Sequence, residues 1–346
     1  MFFKKIYRLL VIFIVAIVLA AIIFVLIFLV PRLKPDTKAG TKDDSLRLEV
    51  CQTEIDCVSI NSSLSKTRIF QHEIFIELPE SLLFCGQEFP LTCYSDSLQF
   101  YKAMAYFLDR PHLIWTYMMF FGRYLPHVEK ILQDNGLPDD LKYVPIVESS
   151  LSLRAKSWAG AVGYWQFIKS TALKYRLTVT QEVDQRLDPI LAGQAAARYF
   201  KDLYDEFGDW TLVLAAYNAG EGRIRRALKE HRALGDSLFS LSLLPLAGET
   251  QAYPFLIVAF KIIYENSELY HLSMPFPVEP LEFDTVTVRI KKKTLTFSEI
   301  ASVCGVPMPA IRDLNPVFLK GKIPSGKWII CLPRGTRETF LAKFSQ

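Results

Sequence analysis

Hydrophobic and polar positions divide this 346-residue chain into four stretches of different rhythm. Leu9 to Val30 is an uninterrupted run of 22 residues without a charge, preceded by Lys4, Lys5 and Arg8. As a helix it reaches about 33 Å, enough to cross a bilayer core. Val30-Pro31-Arg32 is not a small-residue cleavage site, so residues 1–30 read as an uncleaved signal anchor with a transmembrane helix at 9–30. Residues 31–72 are polar and lack helical periodicity, which predicts a linker.

Helical periodicity then dominates. Leu98 to Leu108 and His112 to Asp134 carry apolar faces, and Asn135-Gly136 is a stop signal. Pro138, Asp139 and Asp140 suit a helix start, with Leu141, Val144 and Glu148 at i, i+3 and i+7 on one face. Pro145 argues for a kink there. Ser170-Thr171 caps a helix to Leu177, Asp188-Pro189 opens one over 190–207, and Gly208-Asp209-Trp210 introduces another over 211–218. Glu221 begins a helix with a basic face (Arg223, Arg225, Arg226, Lys229), read as solvated, and Leu256 to Tyr264 is a last apolar helix.

Pro275, Pro277 and Pro280 mark a hinge, after which the rhythm changes. Asp284 to Ile290 alternates like a strand, 295–305 and 309–314 read as short helices, and Trp328 to Leu332 as a strand. The change of period predicts that residues 281–335 fold separately as a small βααβ module.

Composition narrows the function classes. A net charge of +4 and a pI near 8.6 are mildly basic and suit an anionic polymer. No basic stripe interleaves with aromatics, so nucleic acid is not an expected partner. The five histidines (72, 112, 127, 231 and 271) show no ligand spacing, and neither a metal nor another cofactor is expected. Six cysteines on an exported chain are compatible with disulfides; pairing nearest neighbours (51/57, 85/93, 304/331) is the simplest of 15 arrangements, and unpaired core cysteine is the alternative, above all for Cys304. Ser63-Leu64-Ser65-Lys66 imitates an S-x-x-K nucleophile motif, but its setting is linker-like and no S-D-N or K-T-G accompanies it. Gly321 to Lys327 nearly spells a P-loop, yet Pro324 removes an N–H and Trp328 stands where a hydroxyl would hold magnesium.

Chemistry concentrates between Leu137 and Phe167. A carboxylate on an apolar helix face is penalised in its charged form, so Glu148 should stay protonated nearer neutral pH and serve as a general acid. A buried glutamate satisfied by neighbouring donors is the structural alternative. Ser157, Gly160, Gly163 and Trp165-Gln166 follow, where small residues allow close backbone approach and Gln offers donor and acceptor.

Glu148-Ser149, Gly163-Tyr164-Trp165-Gln166, Ala216-Tyr217-Asn218 and Glu249-Thr250-Gln251-Ala252-Tyr253, in this order, resemble the four motifs of the lytic transglycosylases. The membrane-bound lytic transglycosylase D group is the particular resemblance. It implies a mainly α architecture, with a lysozyme-like all-helical catalytic domain over 73–272. It also implies a substrate, the glycan strands of peptidoglycan. Glu148 would be the catalytic residue, protonating the β-1,4 bond between N-acetylmuramic acid and N-acetylglucosamine and then accepting the C6 hydroxyl proton as a 1,6-anhydro ring closes. Ser157, Gln166, Tyr217 and Asn218 would bind substrate, and Tyr253 would hydrogen-bond the carboxyl. Asp184, Arg186 and Asp188 match a D-x-R-x-D pattern of the family, which the residues themselves explain as an ion pair and an N-cap.

Residues 281–335 resemble a LysM module, including its Leu-Asn-Pro; Lys291-Lys292-Lys293 departs from the usual Gly-Asp/Glu in the loop that forms the sugar-binding edge. Many relatives carry a lipid on an N-terminal cysteine, but Cys51 lies too far from the apolar segment for that. The expected location is therefore the cytoplasmic (inner) membrane, single-pass, with the catalytic region on the outer, periplasmic side. Two other functions fit the same residues: a lysozyme-like hydrolase using Asp184, Asp188 or Glu249 as a second carboxylate, and an inactive wall-binding protein.

Overall fold

The computed structural model describes residues 82–233, 240–272, 278–291 and 294–344, which fall in one compact unit. The expected membrane helix at 9–30, the linker, Cys51, Cys57 and the Ser63 motif lie outside them. Among the described residues no helix is long and apolar enough to cross a membrane.

A two-residue hairpin comes first: β1 (Leu83–Phe84) pairs antiparallel with β2 (Gln87–Glu88). Cys85 and Gly86 at its tip both have positive φ, as a tight hairpin turn requires. Helices α1 (Tyr94–Leu108) and α2 (Pro111–Asp134) follow, the second with proline in its first turn. Gly136, at φ 64°, ends α2: its N–H bonds to Gln133 O at 3.0 Å and that of Leu137 to Leu132 O at 2.9 Å, a Schellman closure.

The helix expected from Pro138 through Glu148 is divided. Asp139–Tyr143 is a 3-10 turn, and α3 (Val144–Ser149) starts afresh with Pro145 in its first turn. Proline has no N–H to continue the ladder but is well placed at a new start, so the break is where it costs least. Then come α4 (Lys169–Lys174), α5 (Pro189–Phe207), α6 (Trp210–Ala219), α7 (Glu221–Ala233) and α8 (Gly248–Glu265). Asp188 Oδ1 accepts from the N–H groups of Ile190 and Leu191, and Asp209 from that of Leu212, so these two expected caps form; the third does not, because α4 starts after Ile168 with Ser170 and Thr171 already inside it. The basic residues of α7 are exposed, as expected of a solvated face. α8 begins eight residues before Leu256, which brings Glu249, Thr250 and Tyr253 onto one helix.

The core lies between these helices, with α1 packed on α8 and α6 on both α5 and α8. Phe121, Tyr143, Phe260 and Tyr264 form an aromatic cluster with ring centroids 5.1–6.4 Å apart, Phe121 meeting Phe260 and Tyr264 edge to face while Phe260 and Tyr264 stack.

The C-terminal region has a second core. β3 (Phe283–Ile290) pairs antiparallel with β6 (Gly326–Pro333), placing Val286 opposite Ile330 and Asp284 opposite Leu332. Between them lie β4 (Leu295–Thr296), α9 (Phe297–Cys304), α10 (Met308–Leu314) and β5 (Lys322–Ile323), the last paired with β4. A capping box of Thr296 and Glu299 opens α9, and Gly305 at φ 67° closes it. The Leu-Asn-Pro motif has a mechanical reason: buried Asn315 donates to Ile311 O at 2.8 Å and Cys331 O at 2.7 Å, and accepts from Cys331 N at 2.9 Å. A further helix, α11 (Arg337–Phe344), buries Phe340. The near-P-loop is the turn from β5 into β6, with Trp328 Nε1 donating to Pro324 O at 3.0 Å.

The described cysteines, Cys85, Cys93, Cys304 and Cys331, are free thiols, so neither pairing expected among them forms. The Cys85 N–H is held by Asp140 Oδ2, Cys93 Sγ faces Ser240 Oγ at 3.3 Å, and Cys304 packs in the second core. Burial pushes the Cys85 thiol far up and that of Cys331 up to about 12.

Candidate active site

Glu148 sits in the last turn of α3 and is half-buried, while Val144 of the same helix and Leu141 of the preceding 3-10 turn are fully buried. The chain then reverses through Ser150 and Leu151, both at positive φ without being glycine. Such strain persists only where surroundings fix it. Ser149 supplies part of that fixing, its Oγ donating to Tyr164 O at 2.9 Å and Pro145 O at 3.1 Å.

Tyr253 reaches across from α8 and donates to Glu148 Oε1 at 2.5 Å. Burial pushes the Glu148 carboxyl up to about 7, against the Tyr253 hydrogen bond, which lowers it; the charge of Glu249, one α8 turn before Tyr253, raises it further. Burial and the neighbouring Glu148 hold the hydroxyls of Tyr253 and Tyr217 well above their usual range, so both stay donors. An acid poised near neutrality beside a fixed donor is the arrangement general acid–base work requires.

The loop from Ala155 to Phe167 forms the facing wall. Lys156, Val162 and Phe167 are joined by two antiparallel bridges. Ser157 closes its tip: Ser157 Oγ accepts from Ala161 N at 3.1 Å, and Ser157 N donates to Ala161 O at 3.0 Å. Gln166, at φ 49°, turns its amide nitrogen onto Gly163 O at 2.8 Å and Ala155 O at 3.2 Å. Its amide oxygen has no partner among the described residues and is free to accept. Gly163 is obligatory here. Its φ is 86°, and a Cβ on it would lie 1.9 Å from Arg186 O.

From α6, Tyr217 donates to Trp165 O at 2.8 Å, and its ring stacks on Phe200 with centroids 4.8 Å apart. Asn218 Oδ1 accepts from Thr250 Oγ1 at 2.9 Å. Glu148, Tyr253 and Tyr217 are thus drawn directly together. Gln166 and Asn218 are tied to the same frame through the loop and through Thr250, and Ser157 holds the exposed tip rather than Glu148. Thr250 is a contributor that the sequence does not single out; its signal is the i, i+3 spacing to Tyr253 on a helix that starts at Gly248 rather than at Leu256.

The carboxylates that a second catalytic role would need differ in freedom. Asp184 is locked on buried Arg186, with Nε to Oδ1 at 2.9 Å and Nη2 to Oδ2 at 2.8 Å. Asp188 caps α5. The ion pair and N-cap expected of this motif are both present, and only Glu249 remains exposed beside Glu148. Among the described residues no group of three His, Cys, Asp or Glu side chains is placed to hold a metal ion.

Comparison with known proteins agrees with the motifs. Residues 128–240 match the family model described as the transglycosylase SLT domain, and 282–344 match the LysM-like domain of lytic transglycosylase MltD. The chain is 33% identical over 206 residues to membrane-bound lytic murein transglycosylase D of Escherichia coli K12, covering 59% of this chain and 44% of that one. It is 34% identical over 141 residues to the peptidoglycan transglycosylase gp16 of Escherichia phage T7, covering 36% of this chain and 11% of that one. The chain therefore spans less than half the length of these relatives. A solved structure, the 70 kDa soluble lytic transglycosylase of Escherichia coli, aligns at 23% identity and a TM-score of 0.36 over 44% of this chain and 26% of its own. The resemblance read from the four motifs and from the C-terminal pattern is borne out, and the region is mainly helical with a small β-containing LysM-like part.

Proposed function

We propose, from the premise that the chain carries an SLT-type catalytic region followed by an MltD-type LysM-like region, that it is a peptidoglycan lytic transglycosylase. One observation carries the reading: a half-buried glutamate, pushed up to about 7, with a tyrosine hydroxyl 2.5 Å from its oxygen. Protonated Glu148 donates to the glycosidic oxygen between N-acetylmuramic acid and N-acetylglucosamine as the bond to C1 breaks. The resulting carboxylate then takes the proton of the muramic C6 hydroxyl, whose oxygen bonds to C1 and closes the 1,6-anhydro ring. One carboxyl suffices because the nucleophile belongs to the substrate, which removes the cost of recruiting water.

Tyr253 holds the carboxyl in place and stabilises it after proton loss. Gln166, through its free amide oxygen, and Asn218 orient sugar substituents, while Tyr217 fixes the loop through Trp165. Ser157 shapes the rim where substrate enters. The N-terminal 9–30 segment is a single-pass anchor of the cytoplasmic membrane that leaves 73–272 and 281–335 outside. A reporter fused after Gln346 should be active only outside that membrane, in a chain retaining its first 30 residues.

Mass spectrometry of products released from purified wall tests the chemistry. Anhydro ends, absent with Glu148→Gln, are expected. Reducing ends would instead indicate hydrolysis, with Glu249 as the carboxylate to test next; no products would leave a wall-binding protein.

A further inference from the structure

Residues 182–186 join the C-terminal region to the loop beside Glu148. On the C-terminal side, Asp184 N donates to Val317 O and Leu319 N donates to Glu182 O, each at 2.9 Å, while Val183 bridges to Phe318. Val183 is 1% exposed and belongs to the C-terminal core, although it comes from the helical part of the chain. On the other side, Asp184 orients Arg186, whose Nη1 donates to Gly160 O at 3.0 Å and Phe167 O at 3.1 Å. Those carbonyls bracket the loop that contains Gln166. The Arg186 backbone also presses on Gly163, where there is no room for a Cβ.

What this loop holds gives the contact its chemical importance. Tyr164 O receives Ser149, the residue after Glu148, and Trp165 O receives Tyr217. A shift of the loop therefore moves both the catalytic helix and the tyrosine opposite it.

We propose that the C-terminal region is a positioning element for catalysis: its 317–319 edge fixes residues 182–184, and these, through Arg186, hold the 160–167 loop against the Glu148 helix. Its activity arm rests on the transglycosylase reading, and its structural arm does not. Glycan affinity is not required for this role, so the unusual Lys291-Lys292-Lys293 sequence is no obstacle to it.

The test uses the full-length chain with Val183→Ala, Val183→Ile and Arg186→Lys, the last keeping the charge but losing the planar fork. Hydrogen exchange of the 160–167 amides, kcat and KM on purified glycan strands, and Tm are measured together. Arg186→Lys should speed loop exchange by about tenfold, the upper end of what one hydrogen bond's net worth represents, and Val183→Ala by a similar factor through packing lost at the seam. Both should lower kcat by about tenfold, with KM within about twofold, because a misplaced catalytic group costs turnover before binding. Val183→Ile should stay near wild type.

Phe340→Leu weakens the same core from α11, which packs on α9 and β3, and should leave loop exchange at the wild-type rate. Wild-type exchange and kcat in Val183→Ala and Arg186→Lys would overturn the proposal. So would equal effects from Phe340→Leu at equal loss of Tm. If Val183→Ala does not fold, Arg186→Lys decides. If the wild-type chain does not cleave wall, the transglycosylase reading falls and loop exchange alone decides this one.

Discussion

Four residues at the site make separable contributions. The Tyr253 hydroxyl lowers the Glu148 pKa, so Tyr253→Phe should move the alkaline limb of the pH–rate profile upward while reducing kcat by about tenfold. Glu148 also marks stability. The folded chain keeps this proton to about 7 and the unfolded chain releases it near 4.5, so the contribution is full below 4.5 and lost as pH rises through 7. Glu148→Gln should thus be more stable than wild type at pH 8 and no more stable at pH 4, as urea titrations at the two values would reveal. Tyr164 is fully buried with no partner for its hydroxyl among the described residues, so Tyr164→Phe should gain up to about 1 kcal/mol. Gly163→Ala forces a Cβ into backbone at a left-handed φ and should lower Tm by about 10 °C or more in a thermal melt.

At the scale of elements, what the sequence revealed follows the distance over which each signal acts. Asp188-Pro189, Asp209 and Asn135-Gly136 announce helix ends because each cap and the backbone groups it satisfies lie within five residues. The break at Val144 was harder, since Pro145 suits a kink and a fresh start equally, and the 3-10 turn before it has the same apolar face. The β1–β2 hairpin was invisible because two residues per strand offer no alternation to read. Glu148 was legible as an odd carboxylate on an apolar stripe, but its partner Tyr253 lies 105 residues away and only the family pattern pointed there. Asp96 is a similar case. Fully buried at the start of α1, it accepts from Ser240 Oγ at 2.9 Å and Ser242 N at 3.3 Å, a tie no local pattern predicts. Asp96→Ala strands those donors and should cost about 3 kcal/mol, with hydrogen exchange rising first at 240–242.

At the scale of the whole molecule, two hydrophobic cores are distinguishable, but Val183 crosses between them and the start of the C-terminal region is fastened to α2 as well. Leu281 N donates to Arg123 O at 2.9 Å, Leu281 O meets His127 Nε2 at 2.8 Å, and the His127 ring lies against Phe283. The change of hydrophobic period was legible and marks the second core; the seam was not, because one valine in a loop carries it. Chemical unfolding should therefore be a single transition, with Trp328 fluorescence and far-UV helicity coinciding.

The packing of α1 on α8 has a kinetic consequence. The first helix of the catalytic region completes its burial only against one that begins about 150 residues later, so much of the loop-closure entropy must be met before the centre of the core can form. A chain emerging from its amino end would hold α1 with its apolar side uncovered until Phe255 and Phe260 arrive, and Tyr253, the hydroxyl that holds Glu148, arrives in the same helix. Folding and the seating of Glu148 against Tyr253 are then the same late event, and a nascent chain that stops before Glu265 has neither.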